Sequence, residues 1–153
     1  MSESLQDIYG PNTICFGCGP ANEKGLRLKS FVDGDGVIAD FDPSPEHQAF
    51  PGVINGGIIG SLFDCHMNWT AAHAIMTDGG LDHLPVTVTA DFHVRLRRPT
   101  PYPAILHLQA RPVEVAGNRA RIEAEMSVGG SVTAACIANF VAVEEGHPAY
   151  HRW

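Results

Sequence analysis

The segment from Phe50 to Met76, FPGVINGGIIGSLFDCHMNWTAAHAIM, decides how the rest of the chain folds. Phe50-Pro51-Gly52 is a turn signal, and Asn55 is a good helix N-cap. Beyond it the sequence is almost continuously apolar for five turns: Ile58, Ile59, Leu62, Phe63, Met67, Trp69, Ala71, Ala72, Ala74, Ile75 and Met76. A helix apolar on most sides must be buried nearly all round. At about 22 residues it would be roughly 33 Å long, enough to cross a small domain. Asp64, His66, Asn68 and His73 in its middle, and three glycines in its first two turns, speak against a lipid-spanning segment. It reads as the central helix of a soluble domain, with one carboxylate, Asp64, two to three turns in. Asp78-Gly79-Gly80 ends it as an αL cap would.

The flanks of this helix read as strands. Leu26–Val32 alternates, Asp33-Gly34-Asp35-Gly36 is a turn, and Val37–Phe41 returns, which predicts a hairpin. After the helix, Val86–Leu96 alternates, with Val86, Val88, Ala90, Phe92, Val94 and Leu96 expected on one face and Thr87, Thr89, Asp91, His93 and Arg95 on the other. Residues 104–115, 119–128 and 131–143 continue as strands separated by Ala116-Gly117-Asn118 and Gly129-Gly130. The expectation is one α+β domain over residues 1–153: about six antiparallel strands wrapped around one helix, with a loose N-terminal arm (1–14) and a mobile C-terminal tail (144–153). A sheet of that size leaves an edge, and pairing edges in a homodimer is a natural closure.

Composition bounds the function. The 153 residues carry a formal net charge of -7, which disfavours nucleic acid, since phosphate neutralisation needs clustered Lys and Arg. The opening MSESLQDIYG has neither a basic nor an apolar targeting segment, and the four cysteines suit a reducing compartment, so a cytoplasmic protein without membrane attachment is expected. Cys15-Phe16-Gly17-Cys18-Gly19 is a C-x-x-C-G knuckle. It is open to three readings, half a zinc site, a redox pair or a structural knuckle, and the last is preferred because tetrahedral zinc wants four ligands. Cys65 and Cys136 stand isolated in apolar segments, so no metal site is expected.

The chemistry is expected at the helix. Asn55-Gly56-Gly57 offers unobstructed backbone N–H groups at a positive helix end, where a carbonyl oxygen would be polarised. Asp64 lies seven residues beyond Gly57, hence on the same helix face about 10 Å along. It is placed to attack such a carbonyl or to deprotonate a water that does. The bland alternative is a buried carboxylate satisfied by a neighbour, with Asn68 one turn on as the partner.

These residues resemble those of the hotdog-fold acyl-CoA thioesterase superfamily. GVINGGIIGSLFD on the helix and TADFHVRLRRP on the following strand carry the resemblance, which covers residues 15–143. The C-F-G-C-G…N…G-L opening also occurs in one branch of that family. In the family a helix-start H-G-G is followed, seven residues after its second glycine, by a catalytic Asp or Glu; the matching positions are Asn55, Gly56, Gly57 and Asp64. A Thr or Ser ten residues before a Pro falls on Thr89 and Pro99, and in the family that residue comes from the neighbouring subunit. Asn55 stands where the family has histidine, with His47, His66 or Asn68 as candidate substitutes.

The resemblance implies a hydrolase of acyl-CoA thioesters, with Asp64 as base or nucleophile, Gly57 N–H on the carbonyl and Thr89 assisting. Coenzyme A would be part of the substrate, and no separate cofactor is implied. Arg95, Arg97 and Arg98 form the one basic cluster available for its phosphates. A homodimer, or a dimer of dimers, is implied. Two other readings stand beside it: a non-catalytic acyl-CoA or lipid binder in which Asn55 marks lost activity, and a zinc-knuckle interaction protein. Hotdog dehydratases fit less well, because glycine stands where their helix Glu would be.

Overall fold

The computed structural model describes residues 2–153. Its elements run α1 (Leu5–Tyr9), β1 (Phe31–Asp33), β2 (Gly36–Phe41), β3 (Gln48–Phe50), β4 (Val53–Ile54), α2 (Gly56–Gly79), β5 (Thr87–Leu96), β6 (Leu106–Ala116), β7 (Arg119–Val128) and β8 (Ser131–Ala142). Six strands form one antiparallel sheet in the order β1-β2-β6-β7-β8-β5, and β3 and β4 pair separately. The sheet wraps the long helix as the sequence predicts.

The helix starts and stops for local reasons. Asn55 accepts from the N–H groups of Gly57 and Ile58, and Gly80 at φ 59° closes the C-terminus, its N–H reaching the Met76 and Thr77 carbonyls. Between the caps Ile59, Leu62, Phe63, Met67, Ala71, Ala72 and Ile75 are buried. They meet the inward residues of the sheet: Leu106, Leu108 and Ala110 from β6, Ile122, Ala124 and Met126 from β7, and Ala134, Ala138 and Phe140 from β8. Each fully buried Leu or Phe contributes about 1.5–3 kcal/mol.

Four expectations are corrected. The N-terminal arm is not loose. Residues 5–9 form a short helix capped by the Ser4 hydroxyl, Leu5 enters the core, and the Leu5 N–H donates to the Ser30 carbonyl at 2.8 Å. The strand expected from Leu26 begins only at Phe31, because Leu26 and Leu28 instead donate their N–H groups to the carbonyls of Phe16 and Gly17 in the knuckle. The tail is anchored as well: Trp153 stacks on Trp69 with ring centroids 4.4 Å apart, and Arg152 donates to the Thr87 carbonyl.

The fourth correction concerns β5, an edge strand paired only with β8. Its register shifts between Thr89, opposite Phe140, and Asp91, opposite Asn139, so Ala90 is bulged out. The bulge reverses the alternation. Thr87 and Thr89 face the helix before it, and Phe92 and Leu96 reach the helix after it.

Candidate active site

Strand β5 runs antiparallel to one stripe of α2. Gly56, Gly60, Asp64 and Asn68 recur every four residues, and opposite them lie Leu96, Phe92, Thr89 and Thr87. A Cβ placed on Gly56 would lie 3.2 Å from the Leu96 side chain, and one on Gly60 would lie 3.8 Å from the Phe92 ring. The two glycines therefore let the strand approach the helix closely along this stripe. The strand side of the contact stays partly open to solvent, Phe92 being 45% and Leu96 57% exposed. Asp64 stands further along the stripe, between Gly60 and Asn68.

The Thr89 hydroxyl donates to Asp64 Oδ1 at 2.5 Å. Among the described residues Asp64 Oδ2 has no hydrogen-bond partner, and it is not fully buried. Burial lifts the Asp64 carboxyl above its ordinary range, the Thr89 hydroxyl opposes this, the neighbouring Cys15 adds to the rise, and Arg152 opposes it. The partner of the carboxylate is thus Thr89 of the same chain. Neither Asn68 nor a neighbouring subunit is needed to supply it. Asn68 is engaged elsewhere: its Oδ1 accepts from the Thr87 hydroxyl at 2.7 Å, and its amide donates to the Thr87 carbonyl.

At the helix start the expected free donor is occupied. Gly57 N–H donates to Asn55 Oδ1 at 2.8 Å. Among the described residues, the donors left without a protein partner are the Gly56 N–H and the Asn55 side-chain amide, whose oxygen alone is used by the cap. Asn55 thus holds the helix end through one atom and presents another.

The candidate histidines have other tasks. His47 Nδ1 accepts from the Ser44 N–H at 2.9 Å, closing a capping box. His66 is fully buried. Its Nε2 must donate to the Val37 carbonyl, which fixes the tautomer. Its Nδ1 then accepts from the Ser30 hydroxyl at 2.8 Å, and that hydroxyl accepts from the Gln6 amide. Burial, above all, pushes the His66 pKa down to about 4, so the ring is neutral at pH 7. It belongs to the core and is not part of the site.

The arginines divide. Arg95 and Arg97 follow His93 on the outer face of the sheet, in a groove shared with Asp91, Glu123 and Glu125, and Arg97 lies 4.0 Å from Glu125. That face is turned away from α2, so Arg95 and Arg97 do not join Asp64. Arg98 lies beyond the end of β5, exposed, between Leu96, which meets Gly56, and Thr100, whose carbonyl accepts from the Ile54 N–H.

Sequence reasoning missed two groups beside Asp64. One is Arg152, brought in by the tail. The other is Cys65, which meets Cys15 and Cys18: the three sulfurs lie within 4.8 Å of one another. Hydrogen bonds from Cys18 and then Cys65 hold the Cys15 thiol far below its ordinary range, while the same Cys15–Cys18 contact pushes Cys18 up to about 11. The only sequence signal was the position of Cys65 next to Asp64.

A helix wrapped in a curled antiparallel sheet, with a carboxylate on the helix held by an edge-strand threonine, defines the hotdog class. The chain belongs to the thioesterase superfamily, whose family model matches residues 51–135. A thioesterase superfamily protein from Shewanella loihica is 30% identical, with a TM-score of 0.66 over 82% of this chain and 98% of its own. Two more distant structures share the fold alone. A hypothetical thioesterase from Streptococcus pneumoniae, solved with coenzyme A, is 10% identical (TM-score 0.64, 76% of this chain and 85% of its own). A sigma28-regulated virulence protein from Campylobacter jejuni is 12% identical (TM-score 0.65, 86% and 95%). None of the curated proteins matches the chain. No helix among the described residues is long and apolar enough to cross a membrane.

Proposed function

We propose that the protein hydrolyses the thioester bond of an acyl-CoA, with Asp64 as general base on a water molecule. The observation that carries this is the Asp64 carboxylate itself, half-buried on the helix stripe that faces the partly exposed Phe92 and Leu96, and held at Oδ1 by Thr89. An acyl chain would lie along the exposed sides of Phe92 and Leu96. Its carbonyl oxygen would accept from the Gly56 N–H and the Asn55 amide at the positive helix end. Coenzyme A in the Streptococcus pneumoniae neighbour supports CoA as the carrier, with Arg98 as the cation for its phosphates. No separate cofactor takes part.

Distance favours water over direct attack. The helix start and the Asp64 carboxylate are about 10 Å apart along α2, allowing for side chains that lean toward the N-terminus. A carbonyl bound at one end and attacked directly by a carboxylate spans roughly 7 Å; interposing a water brings this to about 10 Å. In the step, water oxygen bonds to the carbonyl carbon and its proton passes to Asp64. Collapse then breaks the carbon–sulfur bond, and the CoA thiolate leaves and takes up a proton.

The exposed edge β5 is the place where a second copy would pair, giving a homodimer or a dimer of dimers, and the cytoplasm is where acyl-CoA is met. One observation favours a second reading: Asn55 fills the histidine position and occupies the Gly57 N–H, as a binding protein without turnover would allow. Thiol release from short, medium, long and aromatic acyl-CoAs separates the two. Turnover of any class establishes the hydrolase and names its substrate. Binding without release from every member overturns it in favour of the binder.

A further inference from the structure

Three of the four cysteines meet where the proposed hydrolysis has no use for them. The knuckle contributes Cys15 and Cys18, α2 contributes Cys65, and all three sulfurs lie within 4.8 Å of one another. Cys15 Sγ and Cys65 Sγ are 3.6 Å apart. Zinc bound by thiolates at about 2.3 Å in a tetrahedron sets its sulfurs roughly 3.8 Å apart, whereas a disulfide needs about 2.05 Å. The spacing is that of ligands around a shared ion.

A hydrogen-bond donor already reaches the cluster. Trp69 Nε1–H donates to Cys18 Sγ at 3.2 Å. Such a donor to a ligand sulfur is the kind of outer-shell contact that orients and tunes thiolate ligands. Gly17 has a steric reason as well: a Cβ there would fall on the Cys65 sulfur, so the loop closes over the helix thiol only with glycine at this position. On the open side, Cys15 borders a cleft with Asn12, Thr13, Ile14, His151 and Arg152, which leaves room for a fourth ligand such as water.

We propose that Cys15, Cys18 and Cys65 form a zinc site of three thiolates whose fourth position faces this cleft. Zinc is the choice because thiolates select soft or borderline cations and a four-coordinate d10 ion accepts this geometry. The ion would tie the N-terminal knuckle to α2 one residue from Asp64, and so couple metal content to folding. This inference does not depend on the thioesterase reading, because its readout is metal and not turnover.

The test is metal analysis of the full chain expressed with zinc and purified without chelator or reductant. The expected result is about one zinc per chain, lost in Cys15→Ser and Cys65→Ser and kept in Cys136→Ser, whose thiol is buried elsewhere. If the serine variants fail to fold, the wild type alone decides. Cobalt added to metal-free protein should give a thiolate-to-cobalt charge-transfer band, and zinc should shield three thiols from a thiol reagent. The proposal is overturned by a wild type that retains less than roughly a tenth of an equivalent and takes up neither zinc nor cobalt. A Cys15–Cys65 disulfide in the purified protein, or zinc retained undiminished by folded Cys65→Ser, would overturn it too.

Discussion

Replacing Ser30 by alanine removes one oxygen from a polar path that crosses the core. Ser30, Gln6 and His66 are each buried to within 1% of full burial. The Ser30 hydroxyl donates to His66 Nδ1 at 2.8 Å and accepts from Gln6 Nε2 at 3.1 Å. Its loss orphans one buried acceptor and one buried donor. Each costs about 1–3 kcal/mol when water cannot reach it, so Ser30→Ala should lose about 2–6 kcal/mol. The remaining bonds, Ser30 N–H to Gln6 Oε1 and His66 to the Val37 carbonyl, survive the change. Against a typical domain stability of about 5–15 kcal/mol this is a large fraction, equivalent to a fall in Tm of about 4–24 °C. Urea unfolding measures it, with Ser131→Ala, an exposed serine, as the control expected within about 0.5 kcal/mol of wild type. A loss below about 1 kcal/mol for Ser30→Ala, at unchanged m-value, would refute the reasoning and show that the path tolerates a missing partner.

The other predictions concern the helix–strand stripe, the water route and the tail. Thr89→Val removes a charge-assisted hydrogen bond worth about 1.5–3 kcal/mol and should lower kcat for thiol release about 10–100-fold with little change in KM. Gly60→Ala should be tolerated, since its Cβ stays 3.8 Å from Phe92. Gly60→Leu should push against Phe92, cover the apolar stretch beside Asp64 and raise KM for acyl-CoA about tenfold or more; equal KM values for the two would place the acyl chain elsewhere. In a single turnover in 18O-labelled water, the label should enter only the released acid. Label on the Asp64 peptide would show direct attack. Deleting residues 144–153 removes the Trp153–Trp69 stack and should lower stability by about 1–3 kcal/mol in urea unfolding; an unchanged midpoint would show the tail to be idle.

The parts of this fold that were legible from sequence are those set by local rules. Asn55 and Gly80 mark the helix because caps act within a few residues, and an apolar run with one central carboxylate can belong only to a buried helix with a special site. Thr89 was legible by motif but not by alternation, because a bulge at Ala90 in an edge strand leaves no periodic trace. The first helix was missed because five residues carry no period, and it is held by Ser30, a residue far away in sequence. Arg152 and the meeting of Cys65 with the knuckle are likewise long-range, set by how the chain ends pack on α2. Arg95 and Arg97 point outward, opposite Phe92 and Leu96, as the alternation predicts; the bulge takes Thr89 off their face and turns it to the helix.

The measurement that bears most directly on the account is thiol release by Asp64→Asn beside wild type, on whichever acyl-CoA the wild type turns over. Asparagine keeps an oxygen for the Thr89 hydroxyl, so the variant should fold and still bind substrate. The account predicts a fall in kcat of about two orders of magnitude or more, the usual scale for losing a catalytic base. A variant within about twofold of wild type would contradict it and remove Asp64 from the chemistry.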